Sequence, residues 1–123
     1  MSDQENYENL VRMLLPDGVL DYFQITNIIF DGRAYNVHLE EKNTPPQEYQ
    51  NEKLLSKGFH PIRTVQDFPI RGKGLFLHLK RRRWLVESTG KIISRDWHTV
   101  ASGTRYTKEF ASFLKDAFGF PAD

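Results

Sequence analysis

The stretch QITNIIFDGRAYNVHLE, residues 24–40, decides how this chain folds. Two runs rich in β-branched and aromatic residues flank Asp31-Gly32, a pair that tolerates the positive φ angles of a two-residue hairpin turn. Setting Phe30 opposite Arg33 puts Ile28 opposite Tyr35 and Thr26 opposite Val37. Phe30, Ile28, Tyr35, Val37 and Leu39 then share one face, and Asn27, Asn36 and His38 share the other. This alternation predicts a strand pair with one side on a core and the other partly wet.

Upstream, Tyr7, Leu10, Val11, Leu14 and Leu15 recur at three- and four-residue spacing, which predicts a helix over residues 5–15 with one buried stripe, stopped by Pro16. Val19, Leu20, Tyr22 and Phe23 form a short apolar cluster, read as a further helical turn. Downstream, residues 41–61 are charged and broken by Pro45, Pro46, Gly58 and Pro61. They predict an ordered connection with at most one helical turn, or alternatively a linker between two half-domains.

An extended run at residues 65–70 precedes a second hairpin, whose first strand is residues 75–87 and whose turn is Ser88-Thr89-Gly90. A three-residue loop there sets Glu87 opposite Lys91, Arg82 opposite Asp96 and Arg81 opposite Trp97, with Arg83 facing Arg95. Opposite charges meet in two of these pairs, each worth about 0.2 to 1 kcal/mol. Thr107 is the expected N-cap of a closing helix with Phe110, Phe113, Leu114, Ala117 and Phe118 on one face and Gly119 as its stop. The whole predicts a single α+β domain over residues 1–123, with an N-terminal and a C-terminal helix packed on antiparallel hairpins.

A chain of 123 residues with 39% apolar and 13% aromatic side chains can build a core. Its net charge of +1 predicts neither nucleic-acid nor membrane binding. The average conceals a polarity: residues 1–61 hold five basic and ten acidic side chains, and residues 62–123 hold twelve and six. With no cysteine, a disulfide framework, a thiol nucleophile and a thiolate zinc site are excluded, which fits a reducing setting. The opening MSDQENYENL has neither a basic region nor an apolar run, and no stretch approaches the roughly 20 apolar residues of a membrane span. A soluble, cytoplasmic protein is the expectation.

Between residues 71 and 95 stand Arg71, Lys73, Lys80, Arg81, Arg82, Arg83, Lys91 and Arg95 against the single acid Glu87. Successive strand residues face opposite ways, so Arg81 and Arg83 go to one side and Lys80 and Arg82 to the other. Burying unpaired guanidinium groups costs several kcal/mol each, so the ribbon is expected to project, to bulge or to meet a polyanion. A two-stranded ribbon fits the major groove of DNA, and arginine binds phosphate or guanine bidentately. Trp84 and Trp97 interleave with these cations and are candidates for base stacking, although core packing is their commoner use. The bland alternative for the basic run is a solvated, salt-bridged surface covered by acids of the first half.

Elsewhere the chemistry is sparse. His38, His60, His78 and His98 lie about twenty residues apart and form none of the close pairs that metal motifs use. Glu40, Glu41 and Asp67 lack a partner at a defined spacing, and Gly72 and Gly74 read as turn residues rather than a phosphate loop. No catalytic constellation emerges.

The strings LLPDGVLDYF, LEEKN followed by PP, SKGF, VQDFPIRGK, LHLKRRRW, TGK with RDW, and GTR with TKEF, in this order, resemble the N-terminal region of the ISAon-one group of bacterial insertion-sequence transposases over residues 10–118. That group is similar to the ISL-three transposases, whose N-terminal zinc-binding module carries a D-x-P-I-x-G segment before a strand ending in arginines and an aromatic. Asp67, Pro69, Ile70, Gly72 and Arg81 to Trp84 occupy those places here. The relative's cysteines are missing, so the resemblance implies a degenerate, metal-free zinc-ribbon-like second half that keeps the basic hairpin. It also implies that the acidic triad that cuts DNA lies in a separate C-terminal domain.

The expected function is therefore non-catalytic binding of transposon-end DNA in transposition, beside a separately encoded catalytic subunit. Arg71, Lys73, Lys91 and Arg95 are expected on phosphates and Arg81, Arg82 and Arg83 in a groove, supported by Lys80 and with Trp84 among them. The rival is a protein-interaction module, with the acidic half of one copy meeting the basic ribbon of another in a homodimer or docking on the catalytic subunit. No metal, cofactor or membrane partner is expected, and an enzyme in its own right is the third and weakest class.

Overall fold

The computed structural model describes residues 2–102 and 108–119, the side chain of residue 102 excepted. These fall into two compact units. The helical unit takes the described residues up to Tyr22 and from Trp97 onward, and the sheet unit takes Phe23–Asp96. The expected α+β class is borne out.

In the helical unit, α1 (Asp3–Leu14) starts at Ser2, whose hydroxyl accepts the Glu5 N–H at 3.2 Å, and carries Asp3 and Glu5 in its first turn. Both features complement the unpaired N–H groups and positive dipole end of a helix. Leu15 is extended, as a residue before proline must be, so α1 ends there. Its apolar stripe departs from expectation. Tyr7, Leu10 and Leu14 are exposed, and α1 buries no residue, because nothing among the described residues covers that side.

Helix α2 (Val19–Tyr22) is the expected single turn, followed by α3 (Trp97–Ser102) and α4 (Lys108–Phe118). Phe110, Phe113, Leu114 and Ala117 of α4 are buried at the expected helical spacing. Tyr22 meets the Trp97 ring edge-on at 5.3 Å, and Phe118 stacks on Trp97 at 5.0 Å. Gly119 closes α4 in the left-handed conformation and donates its N–H to the Lys115 carbonyl. The expected cap Thr107 lies outside the described residues.

The sheet unit holds β1 (Phe23–Phe30), β2 (Ala34–Glu41), β3 (Leu54–Phe59), β4 (Arg63–Ile70), β5 (Lys73–Lys80), β6 (Arg82–Val86) and β7 (Lys91–Ile93). They form a four-stranded sheet in the order β1-β2-β5-β4 and a three-stranded sheet in the order β3-β6-β7. The pairing is mixed, because β2 and β5 run parallel with Val37 beside Leu77 and Leu39 beside Leu79. Those four side chains and Leu75 are at most 5% exposed, each burial stabilising by about 2 kcal/mol.

The β1–β2 hairpin forms, but Phe30 pairs with Tyr35 rather than Arg33. Asp31 is the cause: its carboxylate accepts the N–H groups of Arg33 and Ala34 at 2.9 and 2.8 Å, which widens the loop by two residues. Those same bonds hold the Asp31 carboxyl below its ordinary value. An even shift keeps each side chain on its face. Ile28 and Phe30 are nevertheless half-exposed, since β1 is a sheet edge and a bulge follows Ile25.

The second hairpin differs more. The expected strand 75–87 is two strands, β5 and β6, which belong to different sheets and part at Arg81. Across the turn Val86, not Glu87, faces Lys91, and Gly90 donates to the Val86 carbonyl at 2.8 Å. This one-residue slip sends Trp84, Val86 and Ile93 to a common buried side with Tyr49 and Leu54. Burial of three large side chains outweighs two surface charge pairs, and the ladder ends at Trp84 opposite Ile93, short of the expected Arg82–Asp96 position.

Strand β6 is also central, bonded to β3 as well as β7, so no ribbon projects. Residues 41–61 lie inside the sheet unit; they hold the expected single turn, at Gln47–Tyr49, and the unexpected strand β3. No helix among the described residues is long and apolar enough to cross a membrane.

Candidate nucleic-acid interface

The sheet unit carries thirteen basic and eight acidic side chains, and the rest of the chain carries four and eight, so the charge polarity of the sequence follows the two units. Residues 80–83 lie where the chain leaves one sheet for the other, and strand alternation sorts them.

Lys80 and Arg82 share one side, as expected. Both cations lie over the Phe59 ring, at 5.2 and 4.7 Å from its centroid. Arg82 is also bonded inward. Its backbone N–H donates to the Glu41 carboxylate at 2.9 Å, its Nε to the Glu41 carbonyl at 3.2 Å, and its guanidinium to the Ser56 hydroxyl. Arg95 donates its Nε to the other Glu41 oxygen at 3.1 Å and a terminal nitrogen to the Thr44 carbonyl. Glu41 is only 1% exposed. Loss of water raises its carboxyl above the ordinary value, against the pull of the Arg82 N–H and the Arg95 cation. Trp84 is 1% exposed and donates its indole N–H to Asn43 at 2.9 Å.

Four expected DNA-binding residues thereby change character. Arg82 and Arg95 hold the loop after β2, Trp84 is core, and Lys80 lies on an aromatic ring. The string LEEKN and two arginines, 41 and 54 residues beyond Glu41, form one internal clamp.

Arg81 and Arg83 share the opposite side. The His60 N–H donates to the Arg81 carbonyl at 2.8 Å, which extends the β3–β6 ladder, and His60 Nε2 lies 2.6 Å from the Ser94 hydroxyl. Burial, then the charges of Arg81 and Arg83, push the His60 imidazole below its ordinary value. Burial also depresses Arg81, with Glu41 opposing it and Arg63 reinforcing it; a guanidinium remains charged throughout. A Cβ on Gly58 would lie 3.9 Å from a terminal nitrogen of Arg83, at a residue whose φ of +78° favours glycine. The Nε of Arg83 is buried and has no hydrogen-bond partner among the described residues.

The site thus gathers Arg81, Arg83, His60 and Arg63. His60 and Arg63 were not singled out for it from the sequence, and the only signal was their place in SKGFHPIR just ahead of a strand. Arg71, Lys73 and Lys91 are exposed at two other hairpin ends and do not join this cluster.

A concavity of about 460 Å³ opens elsewhere on the four-stranded sheet, lined in part by His38, His78, Glu40, Lys80 and Ile62. The two imidazoles stack at 4.6 Å, and both His78 nitrogens are engaged, with Thr64 and Asn36 at 2.9 Å each. Among the described residues no three His, Asp or Glu side chains converge to hold a metal ion. No family model, curated protein or solved structure matches this chain.

Proposed function

We propose that this chain binds DNA without cutting it, as the N-terminal region or an accessory subunit of a bacterial insertion-sequence transposase, through the Arg81 and Arg83 side of β6. One observation carries the reading. Arg83 sits beside Arg81 and His60 with a buried Nε that no described residue accepts, in a unit with five more cations than anions. A phosphate beside Arg83 supplies a countercharge to a guanidinium that takes no part in the Glu41 clamp, whereas Arg81 already feels the Glu41 charge. The sequence resemblance supplies transposon ends as the target, a separately translated catalytic subunit as partner and the cytoplasm as the setting.

The test is the salt dependence of binding to duplex DNA. Replacing Arg81 and Arg83 by alanine should lower the slope of log K against log salt by about 0.9 for each phosphate no longer neutralised, near 1.8 in all. Arg82→Ala should leave the slope alone.

A second reading has its own support. Leu55, Leu85 and Ile92 form a cross-strand row on the Arg83 side, and Leu55 and Ile92 are more than 40% exposed. That row suits a protein partner, in a homodimer or on the catalytic subunit. A salt slope untouched by the double substitution would favour it.

A further inference from the structure

The turn between β4 and β5 carries Asp67-Phe68-Pro69-Ile70-Arg71-Gly72-Lys73, and three observations there have no structural use. Phe68 is 79% exposed, and no large apolar side chain among the described residues is more so. It is placed there by a bulge. Asp67 pairs with Leu75 and Ile70 with Lys73, so Phe68 and Pro69 together stand opposite Gly74. The Asp67 carboxylate accepts the Phe68 N–H at 2.8 Å, and proline fixes the next φ, so the aromatic is held outward by a stiff segment.

The third observation is Arg71, the only non-glycine among the described residues with positive φ, at +53°. With Gly72 at +77° it forms the two-residue turn that closes the hairpin, a turn whose first position favours asparagine, aspartate or glycine. A guanidinium is kept at this tip against the preference of the backbone, and such outliers gather at functional sites. Arg71 and Lys73 are both exposed.

We propose that this tip is a wedge for duplex DNA: Phe68 enters a base-pair step and unstacks it while Arg71 and Lys73 bind the phosphates on either side. The inference rests on the DNA-binding reading above and adds to it a deformation of the target. A stiff apolar side chain with cations close by is what proteins that kink DNA insert between bases, and here Arg71 and Lys73 follow Phe68 while the Asp67 carboxylate that precedes it is turned onto the Phe68 N–H. Pyrimidine–purine steps unstack most easily, so the favoured target carries one at its centre. The charged neighbours of Phe68 distinguish the tip from a membrane-inserting loop, which buries several apolar residues at once.

The probe is a duplex of about 30 base pairs with a central TA step and a dye at each end. The intact chain should bind it and raise energy transfer between the ends. Phe68→Ala, at an exposed site, should fold as the parent does, keep its salt slope, lose the bend and bind about tenfold more weakly. Arg71→Ala with Lys73→Ala should instead reduce the slope by about 1.8. Phe68→Ala that binds and bends as the parent does overturns the wedge and leaves the DNA-binding reading standing. Failure of the intact chain to bind any duplex overturns both. A Phe68→Trp chain whose emission shifts with phosphatidylserine vesicles and not with duplex assigns the tip to membrane and also overturns the proposal.

Discussion

On one side of residues 80–83, Arg82 and its neighbour Arg95 close on Glu41 and the loop that follows it; on the other, Arg81 and Arg83 crowd His60 with an unsatisfied donor between them. The residue type is the same and the chain positions differ by one. What separates the two sides is strand parity, which turns alternate arginines of one run into scaffold and into cationic surface. A cluster of like charges in a sequence is therefore not one site but two populations, one tied into the Glu41 clamp by hydrogen bonds and one grouped around His60.

The comparison breaks first at Glu41. Removing this carboxylate leaves Arg95, whose side chain is 12% exposed, without its ion pair, and Glu41→Ala should cost about 3–5 kcal/mol in urea unfolding. A cost below about 1 kcal/mol would show that the clamp is ornamental. Gly58→Ala comes next, at about 1–2 kcal/mol, because a side chain at φ of +78° is strained whatever the room around it. Its effect should appear in the same unfolding midpoints.

Acidification gives a smaller change of fixed sign. His60 and His78 are both held below their ordinary value, chiefly by burial. Below the unfolded value of about 6.5 the unfolded chain binds more protons than the folded one, so the stability these groups contribute is present above that pH and lost as pH falls through their folded values. His60→Gln with His78→Gln should flatten the slope between pH 7.5 and 5.5 relative to the parent, about two pH units in which Glu41 is common to both chains. A steeper slope would contradict the assignment. The smallest effect on stability belongs to Arg83→Ala, expected within about 0.5 kcal/mol of the parent while DNA binding weakens. Equal destabilisation by Arg82→Ala and Arg83→Ala would erase the contrast between the two sides.

Much of this was legible in the residues. Helices α1, α2 and α4 were marked by apolar spacing and by Pro16 and Gly119, the first hairpin by Asp31-Gly32, and the division of the arginines by simple alternation, whereas α3 begins at Trp97, where the second hairpin's strand was expected to continue. Registers were not, because they turn on single side chains: the two N–H bonds of the Asp31 carboxylate in one hairpin, the burial of Trp84, Val86 and Ile93 in the other. Strand β3 was hidden by Lys57 and Gly58, which occupy its bulge. Of the site, Arg81 and Arg83 were named and His60 was missed. Glu41 was noticed and judged partnerless, since its partners lie 41 and 54 residues away and only the parallel join of β2 and β5 brings them near.

That join has a kinetic consequence. The β1–β2, β4–β5 and β6–β7 pairs are local and can zip within microseconds, but β2 reaches β5 only after a segment containing β3 and β4 has looped back. Contact order concentrates in this seam and in the β3–β6 pairing, which also spans the intervening β4 and β5. The clamp of Glu41 with Arg82 and Arg95 sits at the end of that seam, so if it forms after the strands have joined, Glu41→Ala should speed unfolding and leave the folding rate unchanged in a chevron measurement.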